Sequence, residues 1–175
     1  MDEISRSMGM SKKTLYQYVD NKDDLITKAL EYVIEKNTFK LIEENEELNA
    51  IDVLLEISRM VRIETNEINP VVVFDLHKYY PIIYRNIFVK KRDMIYSDIC
   101  KNFHRGIKEG IYRIDLDIDI VARLYVKNLM EIHDPEFINA PFSKIFQVMF
   151  DSHIRSIVNN RGLAYYEQQI KPQTI

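Results

Sequence analysis

Metal binding and acid–base chemistry need histidine, cysteine or carboxylate side chains at ligand spacing, and this chain places them poorly for either. Asp115, Asp117 and Asp119 alternate as the first three ligands of a calcium loop do. The sixth position, however, is Ile120 where the turn needs glycine, and the twelfth is Val126 where a bidentate glutamate is needed. His77, His104, His133 and His153 show no short metal-ligand spacing, and with Cys100 as the one cysteine no structural zinc site is expected. There is no glycine-rich phosphate loop, no G-x-S-x-G and no carboxylate pair that spacing can support, so neither an enzyme nor a bound cofactor is expected. Cys100 reads as a compact core residue, with a reactive thiol as the alternative.

The chemistry that remains is contact with phosphates and base edges. Residues 2–8 read as a short helix, Gly9 and Met10 as a tight turn, and Ser11-Lys-Lys-Thr-Leu-Tyr-Gln-Tyr-Val19 as a second helix. A helix, a glycine turn and a polar, basic, aromatic second helix form the pattern of a helix-turn-helix. Ser11 can cap the second helix, which puts Lys12, Lys13 and Thr14 in its first turn, where a recognition helix meets bases and phosphates. Leu15 points to the core, Tyr16 and Gln17 extend the exposed face, and the Tyr18 hydroxyl can reach a phosphate. An ordinary amphipathic surface helix would account equally well for the lysines. It accounts less well for two tyrosines and so few acids on one short helix.

The elements that would carry this segment read as helices at 2–8, 11–18, 22–45, 50–68, 71–79, 82–108, 117–133 and 142–160. The chain is expected to be all-α, with its glycines and prolines as helix punctuation. Asn21 caps the 22–45 helix, acidic Asp23 and Asp24 follow, and Leu25, Ala29, Tyr32 and Val33 line one face. Glu43, Glu44, Glu46 and Glu47 read as a solvated face. Phe88, Arg92, Ile95, Ile99, Phe103 and Ile107 form one stripe on 82–108. Helix 142–160 is apolar over more than a single stripe, at Ile145, Phe146, Val148, Met149, Phe150, Ile154, Ile157 and Val158, so it should pack against two neighbours. Ile114 to Ile120 alternates with the period of a strand. It has no partner strand, and Ile118, Val121, Ala122, Tyr125 and Leu129 restore helical spacing, so Asp117 is read as an N-cap. Val71 to Phe74 is a second β-prone run, too short and isolated to form a sheet.

Hydrophobic residues make up 46% and charged residues 29% of the 175, which fits a globular chain, and no apolar run is long enough to span a membrane. The cysteine usage and the lack of a readable secretory signal suit a cytoplasmic protein. The net charge of −3 argues against a protein that coats nucleic acid over its whole surface. Residues 1–22 nevertheless carry four basic against three acidic side chains, and the remainder 20 against 24, a basic end on an acidic body.

The run from Met1 to Leu25 resembles the TetR family of bacterial transcriptional regulators: it is similar to that family's second helix, turn, recognition helix and start of the fourth helix. The resemblance implies that Lys12, Lys13, Thr14, Tyr16, Gln17 and Tyr18 face DNA and that Lys22 holds a phosphate. Lys13 stands where the family often has glycine and Val19 where it usually has phenylalanine. Gly106 to Asp117 looks like the connection between the family's helices 7 and 8. No counterpart of the family's first helix is read before Met1, so the segment 1–22 is expected to be an incomplete helix-turn-helix part. Residues 23–175 are then a helical ligand-binding and dimerisation domain.

The function so implied is a repressor whose operator DNA binding falls when a small-molecule effector binds. The alternative is a ligand- or protein-binding dimer that has lost DNA binding for want of that first helix; a third possibility is that Met1 is internal to a longer natural chain. The resemblance also implies an effector pocket among helices 50–68, 71–79 and 82–108, for which Met60, Phe74, His77, Ile99, Phe103 and His104 are the candidates. Plain core packing is the competing reading of each. Val121, Tyr125, Phe146, Phe150, His153, Ile154 and Ile157, on the last two long helices, are expected to form a homodimer interface, because one subunit's core should not accommodate them all.

Overall fold

Helix formation begins at the second residue. Asp2 and Glu3 occupy the first turn of α1 (Asp2–Ser7), where the helix dipole favours acids, and the Ser5 hydroxyl donates to the Asp2 carbonyl at 3.0 Å. Gly9 ends the helix with φ +67°, a left-handed conformation that side chains disfavour, and Met10 N–H returns to the Ser5 carbonyl at 3.0 Å. Those turns are described in a computed structural model of the chain that covers residues 1–35, 45, 47–64, 70–131 and 140–171. The expected helix segments beyond 35, 64 and 131, the acidic residues Glu43, Glu44 and Glu46, and His133 lie outside the described residues.

The described helices that follow are α2 (Lys12–Leu15), α3 (Lys22–Glu35), α4 (Ala50–Glu64), α5 (Pro70–Tyr79), α6 (Pro81–Lys108), α7 (Ile118–Glu131), α8 (Phe142–Ile157) and α9 (Asn160–Ile170). The described chain is all-α, with only an isolated antiparallel bridge between Tyr112 and Val158. Asp117 caps α7, accepting the Ile120 N–H at 3.1 Å, so the alternating run 114–120 serves as a helix entry. The β-prone run Val71 to Phe74 lies inside α5, where ten consecutive helical residues outweigh a local preference.

Two readings of the sequence need correction. The covered face of α3 runs through Ile26, Leu30 and Ile34, while Ala29, Tyr32 and Val33 are exposed; a 3.6-residue period admits both stripes, and the neighbours decide. The last expected helix, 142–160, ends at Ile157, and a further helix follows it. The Asn159 side chain accepts the Arg161 and Gly162 N–H groups at 3.0 Å each and starts α9, an element that periodicity does not announce.

The chain divides into two compact units. The first comprises Met1–Asn37 and Ile68–Lys91, the second Thr38–Glu67 and Arg92–Ile175, so that α6 contributes to both. In the first unit, Leu15 and Val19 are buried and Lys90 of α6 pairs with Glu31 of α3 at 3.1 Å. The core of the second unit gathers Ile51 and Leu54 of α4, Ile99 and Phe103 of α6, Ala122, Tyr125 and Val126 of α7, and Phe146, Phe150, Ile154 and Ile157 of α8. Within that core the Tyr112 hydroxyl donates to Asn102 Oδ1 at 2.9 Å, and Asn102 Nδ2 donates to the Ala50 carbonyl at 2.9 Å. A Cβ on Gly106 would overlap the Tyr112 ring, so glycine there allows the ring to reach Asn102.

Candidate nucleic-acid interface

The segment from Ser11 to Lys22 is built from a cap, one helical turn and a tight exit. Ser11 is extended and its Oγ accepts the Thr14 N–H at 3.0 Å, while the two hydroxyls meet at 2.7 Å. Bonds from Gln17 N–H to the Thr14 carbonyl and from Tyr18 N–H to the Leu15 carbonyl, 3.0 Å each, tighten the chain directly after Leu15. The helix expected over 11–18 is therefore a single α turn continued by turns. Lys28 Nζ donates to the Tyr18 carbonyl at 2.9 Å and to Asp24 at 2.8 Å, tying the exit to α3.

This arrangement sorts the side chains by face. Leu15 is 3% exposed and anchors the turn in the first unit, whereas Lys12, Lys13, Tyr16 and Gln17 face solvent and Tyr18 is 70% exposed. Thr14 is half-buried. Lys22 is exposed at the start of α3, which Asn21 caps by accepting the Asp24 N–H at 2.9 Å. The result is a surface with three ammonium groups and two phenols, chemically suited to anionic oxygens and to base or sugar contact.

Two partners of these lysines are not visible in the sequence reading. Lys12 Nζ lies 3.0 Å from one Asp2 carboxylate oxygen and 3.1 Å from the other. The hydrogen bond and charge of that pair hold the Asp2 carboxyl below, and the Lys12 ammonium above, their usual values. Lys22 Nζ lies 5.5 Å from the centroid of the Tyr80 ring, and its pKa is raised chiefly by that side chain. The place of Asp2 across a two-helix turn from Lys12 is a local signal for the first pair; nothing local points to Tyr80.

The pocket candidates fall on both units. In the first, Phe74 is exposed with the Lys78 ammonium 5.5 Å from its ring centroid, and His77 meets Tyr84 edge-on at 5.3 Å. In the second, Ile99 and Phe103 are buried, Met60 is half-buried and His104 is exposed. A crevice of about 600 Å³ in the second unit is lined instead by Glu47, Asn49, Glu109, Arg161, Tyr165 and Gln168, among others.

Of the residues assigned to a dimer interface, Tyr125, Phe146, Phe150, His153, Ile154 and Ile157 are buried within the single chain, and Val121 is half-buried. The premise that one core could not hold them is thus corrected. The small Ala122 and the stacking of aromatic rings, Tyr125 on His153 at 3.7 Å and Phe146 on Phe150 at 6.0 Å, let α7 and α8 share one core. The outward apolar residues of these helices are Ile120 and Leu124 of α7 and Val148 of α8.

No model of a protein family matches the chain, and no solved structure matches it. A protein of Bacillus subtilis (strain 168), named "uncharacterized HTH-type transcriptional regulator YvaF", is 25% identical over 144 residues, an alignment spanning 78% of this chain and 72% of that protein.

Proposed function

We propose that the chain is a DNA-binding transcriptional regulator of the helix-turn-helix type, TetR-like, acting as a homodimeric repressor under the control of a small-molecule effector. The observation that carries the reading is the Ser11-capped turn α2, set after the Gly9 turn, with Leu15 buried and Lys12, Lys13, Tyr16, Gln17 and Tyr18 outward. The likeness to a protein named as a regulator of this type supports it. In this reading α1 braces α2, and α2 lays its first turn on base edges. Lys22 and Tyr18 hold the flanking phosphates.

Control follows from linkage. An effector that binds more tightly to the dimer form whose reading heads are wrongly spaced lowers operator affinity by that difference and by nothing more. Met60, Ile99, Phe103 and His104, all in the second unit, are the proposed effector contacts. Repeated selection of duplexes from a random pool tests the reading. It predicts an enriched motif with two-fold symmetry and half-sites about one helical turn apart. A pool that stays random contradicts it and favours a dimer that binds ligand or protein only.

A further inference from the structure

We infer that Tyr80, at the junction of α5 and α6, is a positioning residue that holds the Lys22 ammonium ready for a nucleic-acid phosphate; this rests on the DNA-binding reading above. Lys22 is the first residue of α3, where the helix dipole disfavours a cation, so the helix itself gives no reason for a lysine there. Its Nζ instead sits 5.5 Å from the Tyr80 ring centroid, within the reach of a cation–ring attraction. The lysine stays exposed, and an ammonium carries three N–H donors, so contact with one ring leaves donors free for phosphate oxygens.

Tyr80 is well anchored for this task. It is half-buried, its N–H donates to the Leu76 carbonyl and its carbonyl accepts the Tyr84 N–H, both at 2.9 Å. Across the same joint His77 meets Tyr84 edge-on, and Pro81 opens α6 with its φ already set. A lysine on a free helix end loses much rotamer freedom when it is pinned to a phosphate; one already resting on a fixed ring loses less. The contact also makes the posture of Lys22 depend on the α5–α6 joint, so a rearrangement of that joint alters a phosphate contact without touching α2.

The test is a double-mutant cycle on the whole chain with a fluorescent duplex of mixed sequence at low salt. Tyr80→Ala should weaken binding about two- to five-fold, the range of an exposed cation–ring contact. It should add nothing to Lys22→Ala, and Tyr80→Phe, which keeps the ring, should bind within about two-fold of wild type. Independently of DNA, the Lys22 ε-methylene proton resonances should be shifted upfield by the ring in wild type and Tyr80→Phe, and unshifted in Tyr80→Ala. Equal losses from Tyr80→Ala in both backgrounds, or unshifted resonances in wild type, overturn the inference and leave DNA binding standing. Failure of the wild type to bind the duplex, with the ring shift intact, overturns the DNA-binding reading and the phosphate role of Lys22 with it.

Discussion

Lys12 of α2 and Asp2 of α1 form an ion pair, 3.0 Å from Nζ to the nearer carboxylate oxygen, across the turn that Gly9 makes possible. For the proposed DNA contact the pair has two opposed effects. It orients Lys12 along the outer face of α2, and it places a negative charge where a phosphate would approach.

The second effect should dominate, because both side chains are well exposed and an exposed pair adds little order. Asp2→Asn is therefore expected to tighten duplex binding at low salt and to steepen the dependence of log K on log salt by up to about 0.9. Fluorescence titrations at several salt concentrations check this; unchanged or weaker binding would assign Asp2 an orienting role instead.

The segment from Met1 to Lys22 is the most legible part of the chain because its determinants are local. Gly9, the Ser11 cap and the Asn21 cap each act within a few residues, and the alternation around Asp117 is resolved by the helical spacing that follows it. Partners brought together by folding are not legible: Tyr80 reaches Lys22 only because α5 and α6 return to α3. Periodicity also cannot say what covers an apolar face. It therefore gives Tyr32 and Val33 a covering neighbour although both are exposed, and assigns Phe146, Phe150 and Ile154 to a partner subunit when their own chain buries them.

His153 is buried against Tyr125 and Phe103, and its Nε2 has no hydrogen-bond partner among the described residues. Burial lowers its pKa from 6.5 to about 3. Between those values the folded chain keeps it neutral while the unfolded chain takes up a proton, so its contribution is fully present above pH 6.5. That stability is lost as the pH falls through the window, by up to about 1.4 kcal/mol per pH unit. His153→Phe should flatten the slope of unfolding free energy against pH between 6 and 4, measured by urea titration. Equal slopes would place the acid sensitivity elsewhere.

Asn102 joins α6 to the α4 start and to Tyr112. Asn102→Ala leaves the buried Tyr112 hydroxyl without its acceptor and opens a cavity, a loss of about 2–4 kcal/mol in unfolding free energy. Asn102→Asp keeps an acceptor for Tyr112 but loses the donor to the Ala50 carbonyl and buries a carboxylate, so it should not recover that loss. Chemical denaturation of both variants is the check, and a loss below about 0.5 kcal/mol for the alanine variant would show that the network carries little stability.

For the proposed homodimer we place the interface on the outward faces of α7 and α8, where Leu124 is 57% and Val148 61% exposed. Leu124→Glu and Val148→Glu should convert a dimer to a folded monomer in sedimentation at micromolar concentration. Phe150→Glu, with its side chain inside the single-chain core, should unfold the protein rather than separate subunits. A folded, dimeric Leu124→Glu, Val148→Glu double variant would remove this face from consideration.

The central claim, that the face formed by α2 and the α3 start meets DNA, is tested most directly by the salt dependence of duplex binding in wild type and in Lys12→Ala, Lys13→Ala and Lys22→Ala. For the wild type a linear fall of log K with log salt is expected. The slope should become shallower by about 0.9 for each phosphate that a variant no longer neutralises. Wild-type binding that ignores salt, or three variants that bind with the affinity and slope of wild type, would contradict it.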